Sequence, residues 1–344
     1  MKTILNTLYV QTQGSYLRLD HETLKLEVEK ELKFQIPLHH LGGIVAFGNV
    51  LLSPFLIHKC AEDGRNLIWL TEYGRYKARL AGSTTGNVLL RRCQHQAVDS
   101  PESTLAIARY MVAGKLQNAR SIVMRAAREA KDKTDKDILS KTAQIHAESI
   151  QNTETASDLD KLRGIEGYAA KAYFGSFTQM IRQNRIAFTF TERTKNPPRD
   201  PINALLSFVY TLLTNECISA CESIGLDPQM GFLHALRPGK PSLALDLMEE
   251  LRSPLADRLV LTLINRGQIK PEDFTERPGG AIYLSEDGRK TILAEYQKRK
   301  QEEITHPIVG SKIPLGLIPH VQARLLARHL RGDVPSYQPF ILRG

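Results

Sequence analysis

The 344-residue sequence is poor in cysteine, has no uninterrupted apolar run long enough to cross a bilayer, and lacks the common nucleotide-binding and serine-nucleophile signatures. The four cysteines stand at 60, 93, 217 and 221. Only Cys217 and Cys221 are close, one helical turn apart, and no second ligand pair completes a zinc finger, so reduced packing residues are expected. Met1–Val10 has one lysine and a brief apolar run before Gln11–Thr12–Gln13–Gly14, which does not make a targeting segment. The expectation is a soluble, cytoplasmic protein with no membrane partner. No Gly-x-x-x-x-Gly-Lys-Ser/Thr loop, Gly-x-Gly-x-x-Gly turn or Gly-x-Ser-x-Gly elbow is present, which argues against an NTPase, a dinucleotide enzyme and an elbow-type hydrolase. Internal repeats and low-complexity segments are also missing.

What is there suits a folded, basic protein. Hydrophobic content of 42% supports real cores, and a net charge of +9 favours polyanionic partners through counterion release. The length leads to an expectation of two domains.

The pattern divides the chain near residue 95. Before it, Thr23–Leu24–Lys25–Leu26–Glu27–Val28–Glu29 alternates apolar and polar, as a half-buried strand does. Short runs at Ile4–Val10, Tyr16–Leu19, Ile44–Phe47 and Asn66–Leu70 read as further strands, with one helix over Pro54–Glu62. After it, Ser100–Pro101 is a cap followed by proline at the first helical position. Leu105, Ala108, Val112, Leu116, Ala119 and Val123 then repeat at helical spacing. Lys131–Asp137 reads as a charged break, Asp158–Ile181 as an amphipathic helical unit, and Asp200–Pro201 as another helix start. Ala281–Leu284 before Ser285–Gly288 suggests a small hairpin. The fold class is α+β: a β-rich domain over 1–95 and a larger all-α catalytic domain over 96–344.

Three places could carry chemistry. Glu166 shares a helix face with Ala170, Tyr173 and Phe177, so its carboxylate is either partly desolvated and in need of a cation, or an exposed residue favoured at a helix start. His234 ends Gly231–Phe232–Leu233–His234 before the Pro238–Gly239–Lys240–Pro241 turn, where it is either a cap or a metal ligand. A histidine among carboxylates suits manganese or magnesium better than tetrahedral zinc. Asp246, Glu249 and Glu250 fall at i, i+3 and i+4 of one helix, which makes either a solvated acidic face or a metal-binding edge.

Several segments together carry a resemblance: Gly164–Ile165–Glu166–Gly167, Pro198–Arg199–Asp200–Pro201–Ile202–Asn203–Ala204–Leu205–Leu206–Ser207–Phe208, Gly225–Leu226–Asp227–Pro228, Gly231–Phe232–Leu233–His234 and Ser242–Glu250, with Ile36–Leu41 and Phe47–Val50 in the front half. In this order they resemble the CRISPR-associated spacer-acquisition integrases, which are also metal-dependent DNA endonucleases. The resemblance covers nearly the whole chain and implies a β-sheet N-terminal domain with a helical C-terminal domain. It implies that Glu166, His234 and Glu249 hold Mn2+ or Mg2+, with Glu250 a close competitor for Glu249 and Asp246 an acidic catalytic or supporting residue. It further implies strand transfer, in which a 3′-hydroxyl of a short DNA fragment attacks a repeat-array phosphodiester. Expected partners are double-stranded DNA, a second copy of the chain as a homodimer, and a small second CRISPR adaptation protein. Lys240 and Arg258 flank the acidic helix and are candidate phosphate contacts. Arg324, Arg328 and Arg331, the Lys298–Arg299–Lys300 cluster, and more weakly Tyr210 beside Ser207, are candidates for the DNA track. A repair nuclease for branched DNA and a non-catalytic DNA-binding scaffold are the alternatives.

Overall fold

The computed structural model describes residues 5–82 and 87–342. By packing, the chain divides into a first unit, Met1–Thr85 with Arg289–Gln301, and a second, Gly86–Gly288 with Glu302–Gly344.

The first unit is built from strands whose apolar alternation matches their burial. β1 (Thr7–Val10), β5 (Gly43–Phe47), β7 (Asn66–Leu70) and β8 (Tyr76–Arg79) form one four-stranded sheet in that order. β5 runs parallel to both neighbours and is buried along its whole length, so its sequence is uninterruptedly apolar rather than alternating. β2 (Ser15–Asp20), β3 (Thr23–Val28), β4 (Glu31–Pro37) and β6 (Val50–Leu52) make the second sheet, ordered β4-β3-β2-β6. Leu17 and Leu24 point from it into a core with Leu38, Ile44, Leu56 and Leu67. α1 (Pro54–Glu62) starts where Ser53 Oγ accepts the Leu56 N–H at 3.3 Å and Pro54 opens the first turn. The sequence expectations omit β4, β6 and β8; Ile4 of the expected first strand lies outside the described residues.

The second unit is helical. It contains α2 (Val88–Asp99), α3 (Pro101–Glu129), α4 (Lys133–Thr155), α5 (Leu159–Gly175), α6 (Pro201–Ile224), α7 (Ser242–Leu251), α8 (Arg258–Asn265) and α10 (Ile318–Leu330). α9 (Glu286–Gln301) lies between the last two in sequence, and its Arg289–Gln301 portion belongs to the first unit. Hairpins β9 (Phe274–Arg277) with β10 (Ala281–Leu284), and β11 (Glu303–Thr305) with β12 (Lys312–Pro314), interrupt the helices. The caps explain the starts: Ser100 accepts from Ser103 N at 3.2 Å, Asp158 from Lys161 N at 2.8 Å, and Asp200 from Asn203 N at 2.7 Å. Gly225 ends α6 with φ 90°, a left-handed turn that favours glycine.

Some expectations shift. Residue 95 falls inside α2, whose Leu90 packs with Ile107 and Met111, so the packing division comes before α2. The charged break is confined to Ala130–Asp132, because Asp132 caps α4 by accepting from Asp135 N. Ser285–Gly288 leads into α9 rather than forming a free turn; Ser285 Oγ accepts the Gly288 N–H at 3.1 Å. Among the described residues α6 alone is long and apolar enough by composition to cross a membrane, although Asn203, Ser207, Asn215 and Glu216 interrupt its apolar run. Its Leu205, Leu206, Val209, Leu213 and Cys217 are fully buried, which accounts for that composition as core.

Candidate metal centre

The three acids of α7 are all buried, so the wet-face reading of this helix is wrong. Each has its own partners, and these separate their roles.

Asp246 is fully buried and serves the segment that carries His234. Its Oδ2 accepts the backbone N–H of Phe232 at 2.6 Å and of Leu233 at 3.0 Å. Its Oδ1 accepts the His234 N–H at 2.9 Å and stands 2.6 Å from His234 Nδ1. With both oxygens engaged, Asp246 is a positioning residue. It meets the ring at Nδ1 and so orients Nε2 towards Glu249, the arrangement second-sphere carboxylates provide for metal-binding histidines. The approach requires a glycine: a Cβ at Gly231 would lie 2.6 Å from Asp246 Oδ2 and 2.6 Å from the Ser242 carbonyl carbon.

Glu249 faces the other way, into a cluster of charge. His234 Nε2 is 3.7 Å from its Oε1, and an Arg252 guanidinium nitrogen is 3.0 Å from the same oxygen. Lys115, on α3, places its ammonium 2.6 Å from Glu249 Oε2 and also bonds Glu166 Oε1, from α5. Burial pushes the Glu249 carboxyl up, but Arg252, Lys115 and His234 together hold it down at about 2. Burial works against the Lys115 ammonium too, and Glu249 and Glu166 raise its pKa on balance.

Glu250 belongs to neither group. It accepts from the Tyr337 hydroxyl, from Gln322 Nε2 at 2.9 Å and from the Phe340 N–H at 2.5 Å, tying α7 to the C-terminal segment. Asn118 completes the tie by donating to the Glu250 and Phe340 carbonyls at 2.8 Å each. Burial pushes Glu250 up to about 8 against hydrogen bonds from Tyr337, Phe340 and Gln322. An acid raised from 4.5 to about 8 keeps its proton in the folded chain after the unfolded chain has lost it. The folded state therefore binds more protons across that window, and stability falls as pH rises through it. Glu250→Gln, which cannot ionise, is expected to flatten this decline. Thermal unfolding at a series of pH values checks it, and an unchanged slope would contradict the assignment.

Behind Arg252 the chain forms a π-helical stretch, Arg252–Asp257, before α8. Asp257 is buried there and accepts from Tyr210 at 2.6 Å and Tyr173 at 2.9 Å. The guanidinium carbons of Arg193 and Arg252 lie 5.4 and 5.1 Å from the centre of the Tyr210 ring. Tyr210 is thus a hydrogen-bonded core residue that steadies two arginines. Lys195, on the segment before α6, has its pKa pulled down by desolvation and then by Arg252 and Arg193.

Glu166 sits mid-helix, eight residues beyond the Asp158 cap, rather than at the helix start. The structure joins Glu166 and Glu249 through Lys115, sets His234 Nε2 3.7 Å from the other Glu249 oxygen, and places Asp246 at His234 Nδ1; Glu250 has separate partners. Among the described residues, no three histidine, cysteine, aspartate or glutamate side chains stand close enough to hold a metal as placed. The donor set nevertheless fits one. Glu249 Oε2 is buried without a hydrogen bond of ordinary geometry, Glu166 and Glu249 already share one cation, and His234 offers an oriented nitrogen.

The basic candidates scatter. Lys240 is partly exposed in the turn before α7, and Arg258 is partly exposed at the start of α8. Arg324 and Arg328 are exposed on α10, while Arg331 pairs with Asp333 at 2.8 Å. Lys298–Arg299–Lys300 is not a single exposed face, because Lys300 is 3% exposed, with its ammonium 3.4 Å from Thr7 Oγ1. Ser207 receives a hydrogen bond from Arg193 at 3.0 Å. The carboxylates take their ion pairs from Lys115 and Arg252. The sequence reading missed Lys115 altogether, although a lysine four residues after Met111 and four before Ala119 lies on α3's apolar face.

Comparison with known proteins fits this geometry. The family described as CRISPR associated protein Cas1 matches residues 8–298. A Moorella thermoacetica protein named CRISPR-associated endonuclease Cas1 1 is 55% identical over 343 residues, covering 100% of both chains. A Chlorobaculum tepidum protein of the same name is 50% identical, again over 100% of both. Among solved structures, a Cas1 protein from Thermotoga maritima superposes with a TM-score of 0.81 at 24% identity, covering 98% of this chain and 100% of its own. A casposase bound to integration product gives 0.83 at 21% identity over 97% of this chain and 92% of its own, a likeness of fold. Full-length identity of this order, with a β-sheet region ahead of a mostly helical one, places the chain in the Cas1 family.

Proposed function

We propose that the protein is a metal-dependent DNA integrase and endonuclease that inserts short DNA fragments into a CRISPR array, with Glu166, His234 and Glu249 holding the metal. One observation carries the reading: Glu166 from α5 and Glu249 from α7 share the Lys115 ammonium, while His234 Nε2, with Asp246 at its Nδ1, stands 3.7 Å from the other Glu249 oxygen. A bound Mn2+ or Mg2+ supplies Lewis-acid polarisation of the phosphoryl oxygen and charge stabilisation at the attacking or leaving oxygen. The protein's own part is positioning and electrostatics. His234 is oriented by Asp246, Arg252 is steadied on Tyr210, and Lys195 and Arg193 add positive charge facing an incoming phosphodiester. Lys240, Arg258, Arg324 and Arg328 extend that charge as DNA contacts. The name endonuclease on relatives 55% and 50% identical supports the chemistry. The casposase bound to integration product supports it at the level of fold. A solved fold-mate, 23% identical, is titled a Cas6-RT-Cas1–Cas2 complex, which supports a Cas2 partner at the level of fold.

The test offers a repeat-bearing supercoiled plasmid and a short duplex together, with and without Mn2+. Joined fragments that require the metal are expected. Nicks with no joined fragment would favour a repair nuclease. Unaltered products from Glu166→Ala, His234→Ala and Glu249→Ala would favour a scaffold whose acids are structural.

A further inference from the structure

The cluster is electrically complete as it stands. Two carboxylates, Glu166 and Glu249, face two cations, Lys115 and Arg252. Adding a dication to this nearly buried group would leave positive charge uncompensated, which is costly in a low-dielectric setting. Space is equally contested. The Lys115 ammonium lies 2.6 Å from Glu249 Oε2 and bonds Glu166 as well, so it occupies the space between the two carboxylates that would hold a metal. The two cations are not equally held. Arg252 has its guanidinium over the Tyr210 ring, 5.1 Å from its centre, beside a residue anchored by Asp257. Lys115 is a point charge on a flexible four-carbon stem and can leave without breaking a stacked fork.

We propose that Lys115 is a built-in competitor for the divalent cation: its ammonium holds Glu166 and Glu249 together in the metal-free protein, and a metal enters by exchanging with it. This rests on the metal-binding reading of Glu166, His234 and Glu249. Lys115 is therefore a positioning residue that keeps the buried carboxylates compensated and sets how tightly the site takes metal. His234 Nε2 stands 3.7 Å from Glu249 Oε1, the oxygen that Lys115 does not hold.

The experiment uses the full-length chain in two arms. In the first, Mn2+ binding is measured by calorimetry for wild type, Lys115→Met and Lys115→Arg. If the ammonium occupies the site in nine molecules of ten or more, its removal tightens Mn2+ binding by about tenfold or more. Lys115→Met should also melt lower than wild type without metal and gain more from Mn2+, whereas Lys115→Arg stays near wild type or binds more weakly. A Lys115→Met protein that binds Mn2+ no more tightly than wild type overturns the proposal. In the second arm, wild type is treated with an acylating amine reagent and digested for mass spectrometry, which decides the matter if Lys115→Met does not fold. Lys115 modification should rise at saturating Mn2+, and unchanged modification overturns the exchange. Wild type that binds Mn2+ with Lys115 unmoved defeats this inference alone. Wild type that binds no Mn2+ defeats the metal reading with it.

Discussion

Glu249→Gln is expected to lower strand transfer by on the order of a thousandfold, roughly 4 kcal/mol of transition-state stabilisation, in a protein that still folds and binds DNA. The neighbouring Glu250→Gln should stay within about tenfold of wild type. The contrast follows from where the two side chains point. Glu249 shares Lys115 with Glu166 and lies 3.7 Å from His234 Nε2. Glu250 is spent on Tyr337, Gln322 and Phe340, outside that cluster. Glu250→Ala should instead cost stability, because three buried donors lose their acceptor at about 1–3 kcal/mol each. Strand-transfer rates beside melting temperatures for the three variants check the division. A Glu250→Gln protein as inactive as Glu249→Gln would refute it.

The second large effect is expected at Asp246. Its two oxygens accept from the backbone N–H groups of Phe232, Leu233 and His234 and meet His234 Nδ1, with separations between 2.6 and 3.0 Å. Asp246→Asn keeps the volume but leaves one acceptor atom, and turns an amide donor towards groups that themselves donate. Loss of several degrees in Tm is expected from the orphaned buried donors. A fall of about 10–100-fold in Mn2+ affinity should accompany it, since the histidine loses its orienting partner. Calorimetry and thermal unfolding on the same preparation read both. Wild-type affinity in a destabilised Asp246→Asn would mean that Asp246 holds the loop but not the imidazole.

Local signals in the sequence located the elements well. Ser100–Pro101 and Asp200–Pro201 mark helix starts because a short acceptor followed by proline satisfies one orphan N–H and removes another. The strict alternation over Thr23–Val28 marks a strand because its period matches the pleat. Glu31–Pro37 is harder to read: β4 is an edge strand with Leu32 and Phe34 exposed at 50% and 42%, so its alternation does not sort core from solvent. The site was legible only in part. Spacing alone puts Asp246, Glu249 and Glu250 on one helix and says nothing of what each meets. Their partners come from Phe232–His234, from Lys115 and Glu166, and from Tyr337 and Phe340, the last of these 90 residues from Glu250. Only tertiary packing tells a positioning acid from a ligand and from a tail anchor. Family resemblance pointed to Glu166, His234 and Glu249, and had no signal for Lys115 between the two glutamates.

The most direct test of the metal site is an anomalous-difference map from crystals grown with Mn2+, recorded at the manganese edge. A single strong peak between the Glu166 and Glu249 carboxylates, within coordinating distance of His234 Nε2 and with the Lys115 ammonium displaced, is the predicted result. A peak at Glu250 or Asp246, or none at this position in metal-saturated protein, would contradict it.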